Sequence, residues 1–461
     1  MNNSPPPAPL PPSHKSFFRA WISSLLERDW VLPFCKLAIA NTTSNLMVPL
    51  AGLIDTAFLG HLEDIRYLNG VALASIIFNV IYWSFNFFRM GTTGPTAQAV
   101  GQQDNELVWL IVARNSLLAL GVGIAVWLLK APIATLGFSL LQADAETKSA
   151  AMAFYNGRVL GAPAVLVNFV FLGWLLGQGR GKQVVILAVV GNFSNILLDY
   201  CFIRLWGLGS YGAGLATALS QYLMLVAGLS VILAGGVPWQ LWSKIQPRLW
   251  QLSALKSLFA LNLDILIRTF ALVISMSLFT NLSSGMGSRV LGVNALLMQV
   301  VLMAAHFMDG IALAVESYAG NFYGQRRGTD LSQLLVLGSV GSLVLGAVIA
   351  LTLIVWPVPF FSLLTSHSEL LTQIPRYAAW LIPVLSFGAI AFTLDGYFLG
   401  LTASRILRNA TLMAALIGFL PLATIASRLN NPHLLWLALS SLMFTRVVTL
   451  VRKVPPTLRR I

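Results

Sequence analysis

"GVALASIIFNVIYWSFNFFRMGTTGPTAQAVGQ", residues 70–102, lies over "GVNALLMQVVLMAAHFMDGIALAVESYAGN", residues 292–321, with Gly91 matched to Gly310 and Gly101 to Gly320. Each run is long enough to cross a hydrocarbon layer of about 30 Å, which takes about 20 residues of helix. A second pair supports the first. "LGWLLGQGR" (172–180) lies over "LDGYFLGLTASR" (394–405), matching Gly173 to Gly396 and Gly177 to Gly400. The chain is therefore read as a duplication with a period of about 220 residues, and the search for further repeats fixes the rest of the fold.

Composition identifies the solvent of this repeat. Hydrophobic residues make up 57% of the 461, charged residues 10%, and the mean hydropathy is +0.78, far from the roughly 25% charged residues of a soluble domain. Charge-poor runs separated by Gly, Pro or charge predict twelve spans, near 32–60, 68–101, 108–130, 150–178, 183–205, 211–236, 256–285, 292–323, 332–358, 372–401, 407–428 and 432–451. Six spans per repeat is an even number, so both halves share one orientation. The expected fold is an all-α polytopic membrane protein: twelve transmembrane helices in two six-helix lobes related by a pseudo-two-fold axis along the membrane normal.

The expected organisation is a disordered Pro-rich N-terminus and lead-in over 1–30, a first lobe over 31–236, a linker over 237–255, a second lobe over 256–451 and a basic tail over 452–461. The opening "MNNSPPPAPLPPSH" lacks the apolar core of a signal peptide, so no cleavable signal is expected. The net charge of +13 is topological: sixteen Lys and Arg fall in segments on the side of the termini and seven on the other. By the positive-inside rule both termini face the cytoplasm, and nucleic acid is not an expected partner. Cys35 and Cys201 belong to opposite ends of their spans and cannot pair. No metal cluster or cofactor is expected.

A charge within lipid costs about 2.5–3.5 kcal/mol even on a lenient scale, so each intramembrane charge needs a reason. In "PLAGLIDTAFLG" (49–60), Asp55 lies five residues below the outer end of span one, about 8 Å deep at the helical rise. In "GNFSNILLDYCFI" (191–203), Asp199 is at a similar depth, with Asn195 one turn deeper on the same face. Thr217, in "YGAGLATALSQ" (211–221), is about 9 Å from its own end. Two acids, an amide and a hydroxyl from three spans thus share one depth, and such a pair of carboxylates can bind a proton or Na⁺. The alternative is a structural network in which Asn195 satisfies Asp199.

In the second half, Asp264 and Arg268 in "LNLDILIRTF" (261–270) are four residues apart, which predicts a salt bridge within one helix. Asp309, Glu316 and Asp395 come late in spans running inward, and a structural network closing the inner end is the favoured reading. Arg89 snorkels or pairs, and Arg114 and Arg158 have no assigned role. His306, in "AAHFMDG" (304–310), could serve as the base of a membrane acyltransferase, but no second His or Ser-rich loop accompanies it. No phosphate-cradling Gly-rich loop with Lys is present, which removes direct ATP coupling within the chain.

Taken together, "PLAGLIDTAFLGHL", "GTTGPTAQAVGQ", "FLGWLLGQGR", "GNFSNILLDYCFI", "LNLDILIRTF" and "LDGYFLGL" resemble the multidrug and toxic compound extrusion (MATE) family, and within it the DinF-like branch. The resemblance implies a two-lobed antiporter of the inner membrane, acting as a monomer and exchanging a small-molecule substrate for H⁺ or Na⁺ by alternating access. It places the ion site on Asp55, with Asn195, Asp199 and Thr217 beside it. It implies amphiphilic organic cations as substrates, with an organic-acid exporter or a lipid-linked saccharide flippase of the same superfamily as alternatives. The span-seven acid of other branches has no secure match here, since Asp264 lies in a different local pattern beside Arg268.

Overall fold

In a computed structural model, the structure describes residues 28–60, 64, 66–236, 239–362 and 368–459. Helix α1 is Val31–Gly60. Eleven helices among the described residues follow it that are long and apolar enough to cross a membrane: α2 Arg66–Gly101, α3 Asn105–Leu128, α4 Ala145–Gly177, α5 Gly181–Leu205, α6 Gly209–Ala234, α7 Leu252–Gly285, α8 Ser288–Gly324, α9 Gly328–Val355, α10 Leu381–Gly400, α11 Ser404–Arg428 and α12 Pro432–Leu458. Side-chain acceptors start several of them. Asp104 takes the Leu107 N–H at 2.9 Å, Asp144 the Thr147 N–H at 3.0 Å and Asn431 the His433 N–H at 2.9 Å, each satisfying a donor that the first helical turn leaves free.

Within the first half, α4 packs on α2, α3 and α6, and α5 packs on α1 and α6. Within the second, α10 packs on α8, α9 and α12, and α11 on α7 and α12. Helix α8 joins the halves by lying along α1 and α2. The apolar cores show how they meet. One cluster, with Trp30, Phe34, Phe88, Trp174, Phe322 and Phe398, is shared by both halves at the end that carries the termini, here the basic end. Towards the opposite end each half has a core of its own, around Phe78 and Tyr155 in the first and Phe279 and Trp436 in the second. The lobes are joined at the basic end and separately packed at the other.

The duplication extends to atomic contacts. A methyl group at Gly173 would run into the Arg89 carbonyl, and one at Gly396 into that of Ala312; Gly177 and Gly400 lie in the same way on the carbonyls of Thr93 and Glu316. These contacts make Arg89 equivalent to Ala312 and Thr93 to Glu316, and so Gly101 equivalent to Gly324. The sequence pairing of Gly91 with Gly310 and Gly101 with Gly320 is therefore one helical turn out of register. A slip of four residues keeps the same face of the helix, so small-residue patterns alone do not reveal it.

Two expected boundaries move. Residues 28–30, placed with the disordered lead-in, are packed: the buried Trp30 donates to Asp330 at 3.2 Å, and Arg28 and Arg327 reach the same carboxylate at 3.4 and 2.7 Å. In the tail, the Thr457 hydroxyl meets the Tyr397 hydroxyl at 2.8 Å. The linker is held by the first half. Arg114 donates to the carbonyls of Leu249 at 3.1 Å and Arg248 at 2.5 Å, Arg248 pairs with Glu106, and Leu110 packs with Ile245 and Leu249.

Candidate functional site

The first-half candidates lie where three helices run side by side. Asn195 donates to Asp199 Oδ2 at 2.9 Å across one turn of α5, and Asp199 is fully buried. The hydrogen bonding of α5 widens immediately after Asp199 into a π-helical turn, Tyr200–Leu205, a feature frequent at functional positions. Contacts along the helices give the register. Gly191 faces Met224 and Gly212 faces Phe202 across α5 and α6, so Thr217 is level with 197–198, within about half a turn of Asp199. Gly181 faces Leu37 and Ala40, while the Phe58 and Tyr200 rings stand 6.5 Å apart, so α1 and α5 run parallel and position 55 is level with 197–198. The Asp55 side chain lies outside the described residues. The Thr217 hydroxyl donates to the Ala213 carbonyl at 2.9 Å, a bond within its own helix.

The second-half candidates gather in a different way. Asp264 and Arg268 do not pair. Asp264 accepts from Arg408 at 2.6 Å and from Ser404 at 3.0 Å, both on α11. Arg268 pairs with Asp395 on α10, and Arg446 on α12 pairs with the same oxygen. Helix α7 packs on α11 while Arg268 reaches out to α10, so residues one turn apart are drawn to separate neighbours. A buried charge is stabilised by the partner that also seals it from solvent, and here that partner comes from another helix.

Asp309 reaches across the seam. Asn45 of α1 donates to it at 3.1 Å and Arg89 of α2 pairs with it at 3.4 Å. Nearby, Gln98 donates to the Gly400 carbonyl at 2.8 Å and Ser317 to that of Leu176 at 2.6 Å, each between halves. Glu316 is 1% exposed, and its Oε1 has no hydrogen-bond partner among the protein atoms. A cavity of about 10 Å³ is lined by Met90, Arg268, Asp309, Glu316 and Asp395 among others. The acids at this end are thus held largely by arginines, in contacts that span both lobes.

Of the groups without an assigned role, Arg158 lies over the Phe78 ring at 4.7 Å, a cation–π contact. His306 is half-buried, with Nδ1 against the Leu302 carbonyl at 2.8 Å and no nucleophile bonded to it among the described residues. Sequence reasoning missed Arg446, Asn45 and Arg408. Arg446 carried a signal, a lone cation in "SLMFTRVVTLV" (441–451), whereas Asn45 and Arg408 have meaning only once their helical neighbours are known.

The same duplication is visible in comparison with known proteins. The MatE family profile matches twice, over residues 42–201 and 265–424, one copy in each half. The chain belongs to the MatE family. It is 34% identical over 418 residues to DNA damage-inducible protein F of Escherichia coli, covering 90% of both chains. It is 24% identical over 372 residues to the probable multidrug resistance protein NorM of Thermotoga maritima, covering 79% of each. The fold matches an outward-facing multidrug resistance MATE transporter of the MOP superfamily with a TM-score of 0.81 at 20% identity, covering 95% of this chain and 97% of that one. It also matches a MOP superfamily transporter from Pyrococcus furiosus with a TM-score of 0.80 at 18% identity, with the same coverage. The protein is a DinF-like MATE transporter, and its relatives are transporters rather than enzymes.

Proposed function

We propose that this MATE protein is a secondary antiporter that exports organic solutes, chiefly amphiphilic cations, in exchange for H⁺ or Na⁺, from an inner membrane with the basic end cytoplasmic. The observation that carries this reading is the fully buried Asp199, bonded to the amide of Asn195, within about half a turn of the level of position 55 on α1 and Thr217 on α6. The Asn195 amide holds one oxygen of this carboxylate in place on α5, and a buried carboxylate in lipid is the kind of group that takes up a proton or ion. Asp55 is the main ion-binding acid in this scheme and Asp199 tunes it. Ion uptake from the outer side reshapes the first lobe and releases substrate, and ion release inward resets it. Each proton moving inward supplies about 2.3 kcal/mol per 100 mV of membrane potential.

Cations are favoured over organic acids or pyrophosphate-linked lipids by the state of the arginines at the seam. Arg268 and Arg446 are engaged by Asp395 and Arg89 by Asp309, and the ionised Glu316 beside them balances the remaining positive charge, so that the closed cluster offers little to an anion. The test is transport in proteoliposomes of cations and carboxylates, with ΔpH and ΔpNa imposed separately. Asp55→Asn should abolish gradient-driven efflux while the protein still folds. Wild-type rates in that variant would move the ion site elsewhere.

A further inference from the structure

We propose that Glu316 is a proton-binding site of its own at the lobe seam, and that its protonation favours opening of the basic end. This rests on the antiport reading above but concerns a different residue, a different depth and the other lobe.

The site is defined by what surrounds it. Glu316 is buried to 1% exposure at a cavity of about 10 Å³, close to the space one water molecule needs. Three polar atoms of the residues lining that cavity have no protein partner: Glu316 Oε1, Asp395 Oδ1 and Arg268 Nε. A buried polar atom left unpaired is costly, so a proton carried by Glu316, with a water bridging the three, answers a need that the protein atoms leave open. A metal cation fits poorly. It would stand beside the Arg268 guanidinium, whose positive charge repels it.

The charges around Glu316 come from every side. Helix α2 contributes Arg89, α7 Arg268, α10 Asp395 with Arg446 of α12 behind it, and α8 itself Asp309. Helix α1 contributes the neutral Asn45, and the basic half of α4, residues 162–177, contains no charged residue. Helix α9 contributes only Asp330 at its end, already held by Arg28 and Arg327. Three arginines thus face Asp309, Asp395 and Glu316. With Glu316 ionised the cluster is neutral and the lobes can close on it. With Glu316 protonated it holds one uncompensated positive charge, and parting the lobes hydrates that charge.

A route for the proton and a connection to the lobes are both present. The Asp309 side chain is 28% exposed, so solvent reaches the acid next to the cavity. Asp309 is also the residue that Asn45 and Arg89 hold from the other lobe. Ser317, adjacent to Glu316, bonds to the Leu176 carbonyl across the seam. A change of charge at Glu316 therefore acts on the contacts that keep the basic end shut.

The test reads the seam directly. Gln102 and Gln325 are exposed on opposite lobes at the basic end, where Gly324 packs on the Gln98–Gln102 backbone. Spin labels at Gln102→Cys and Gln325→Cys, with Cys35→Ser and Cys201→Ser, would report their separation in lipid nanodiscs. As pH falls from about 8.5 to about 4.5, a range bracketing displaced carboxyl titrations, the ratio of long to short distances should rise about tenfold, the effect of one pK unit of coupling. Glu316→Gln should give mainly long distances at all pH values. Glu316→Asp should keep a pH response with a moved midpoint, which a merely structural role would not produce. Two results overturn the proposal: a wild-type distance indifferent to pH, or a Glu316→Gln variant titrating as wild type does. Neither bears on the antiport reading, which the flux of the Asp55→Asn variant decides separately.

Discussion

Asp199 in the first lobe and Asp395 in the second are both buried acids in the middle of a helical bundle, yet their surroundings give them different chemistry. Asp199 accepts from the amide of Asn195 on its own helix. Asp395 receives both Arg268 and Arg446 on one oxygen. Neutralising Asp395 strands two buried guanidiniums, whereas Asn at position 199 can still take part in a hydrogen bond with the Asn195 amide. Buried acids in lipid are all costly, and Asp395, shared by two guanidiniums from two other helices, works as a rivet.

The largest effect on stability should follow from breaking the rivet. Asp395→Ala leaves Arg268 and Arg446 facing each other, and loss of one member of a buried charged cluster costs about 3–5 kcal/mol. Thermal unfolding in detergent should show it, and an unchanged melting temperature would mean that the arginines find other anions. A smaller loss is expected at Asp264, whose true partner is on α11. Asp264→Asn should lower stability, and adding Arg408→Gln should recover part of it, whereas adding Arg268→Gln should make matters worse. A double-mutant cycle with Arg268 that shows recovery would restore the pairing read from the sequence.

In the first lobe the comparison predicts loss of coupling without loss of fold. Asp199→Asn should lower stability, read by thermal unfolding in detergent, less than Asp395→Ala does, yet slow gradient-driven efflux severalfold. Comparable damage to stability would put Asp199 in the same class as Asp395. The smallest effect concerns Asp144, outside the membrane at the start of α4. The Thr147 N–H holds its carboxyl below the ordinary carboxylate range, so the folded state binds the proton less tightly than the unfolded chain does. Its contribution to stability is present above the unfolded value and is lost as pH falls through the folded one. The small gap in melting temperature between wild type and Asp144→Ala should accordingly close in acid.

Much of the architecture was legible because lipid imposes length and charge rules on each span separately. Span positions, the duplication and the common depth of Asp55, Asn195, Asp199 and Thr217 need only counting along a helix. What could not be read is what depends on neighbours. The i, i+4 spacing of Asp264 and Arg268 is real, but which way each turns depends on α10, α11 and α12 standing around α7. The one-turn slip in the repeat has the same origin, since only the carbonyls of Arg89 and Ala312 under Gly173 and Gly396 fix the register. Arg446 was visible as a cost without a visible creditor.

The fastening of the linker to α3 has a mechanical consequence. Because Arg114 grips the carbonyls of Arg248 and Leu249, the chain is free of the first lobe only at Trp250 and Gln251 before α7 begins at Leu252. Two residues reach about 7 Å when fully extended, and Gln251 is already in the extended conformation, with φ −62° and ψ 113°. So short a strap acts as a pivot: it lets the second lobe tilt about the basic end but keeps it from drifting away.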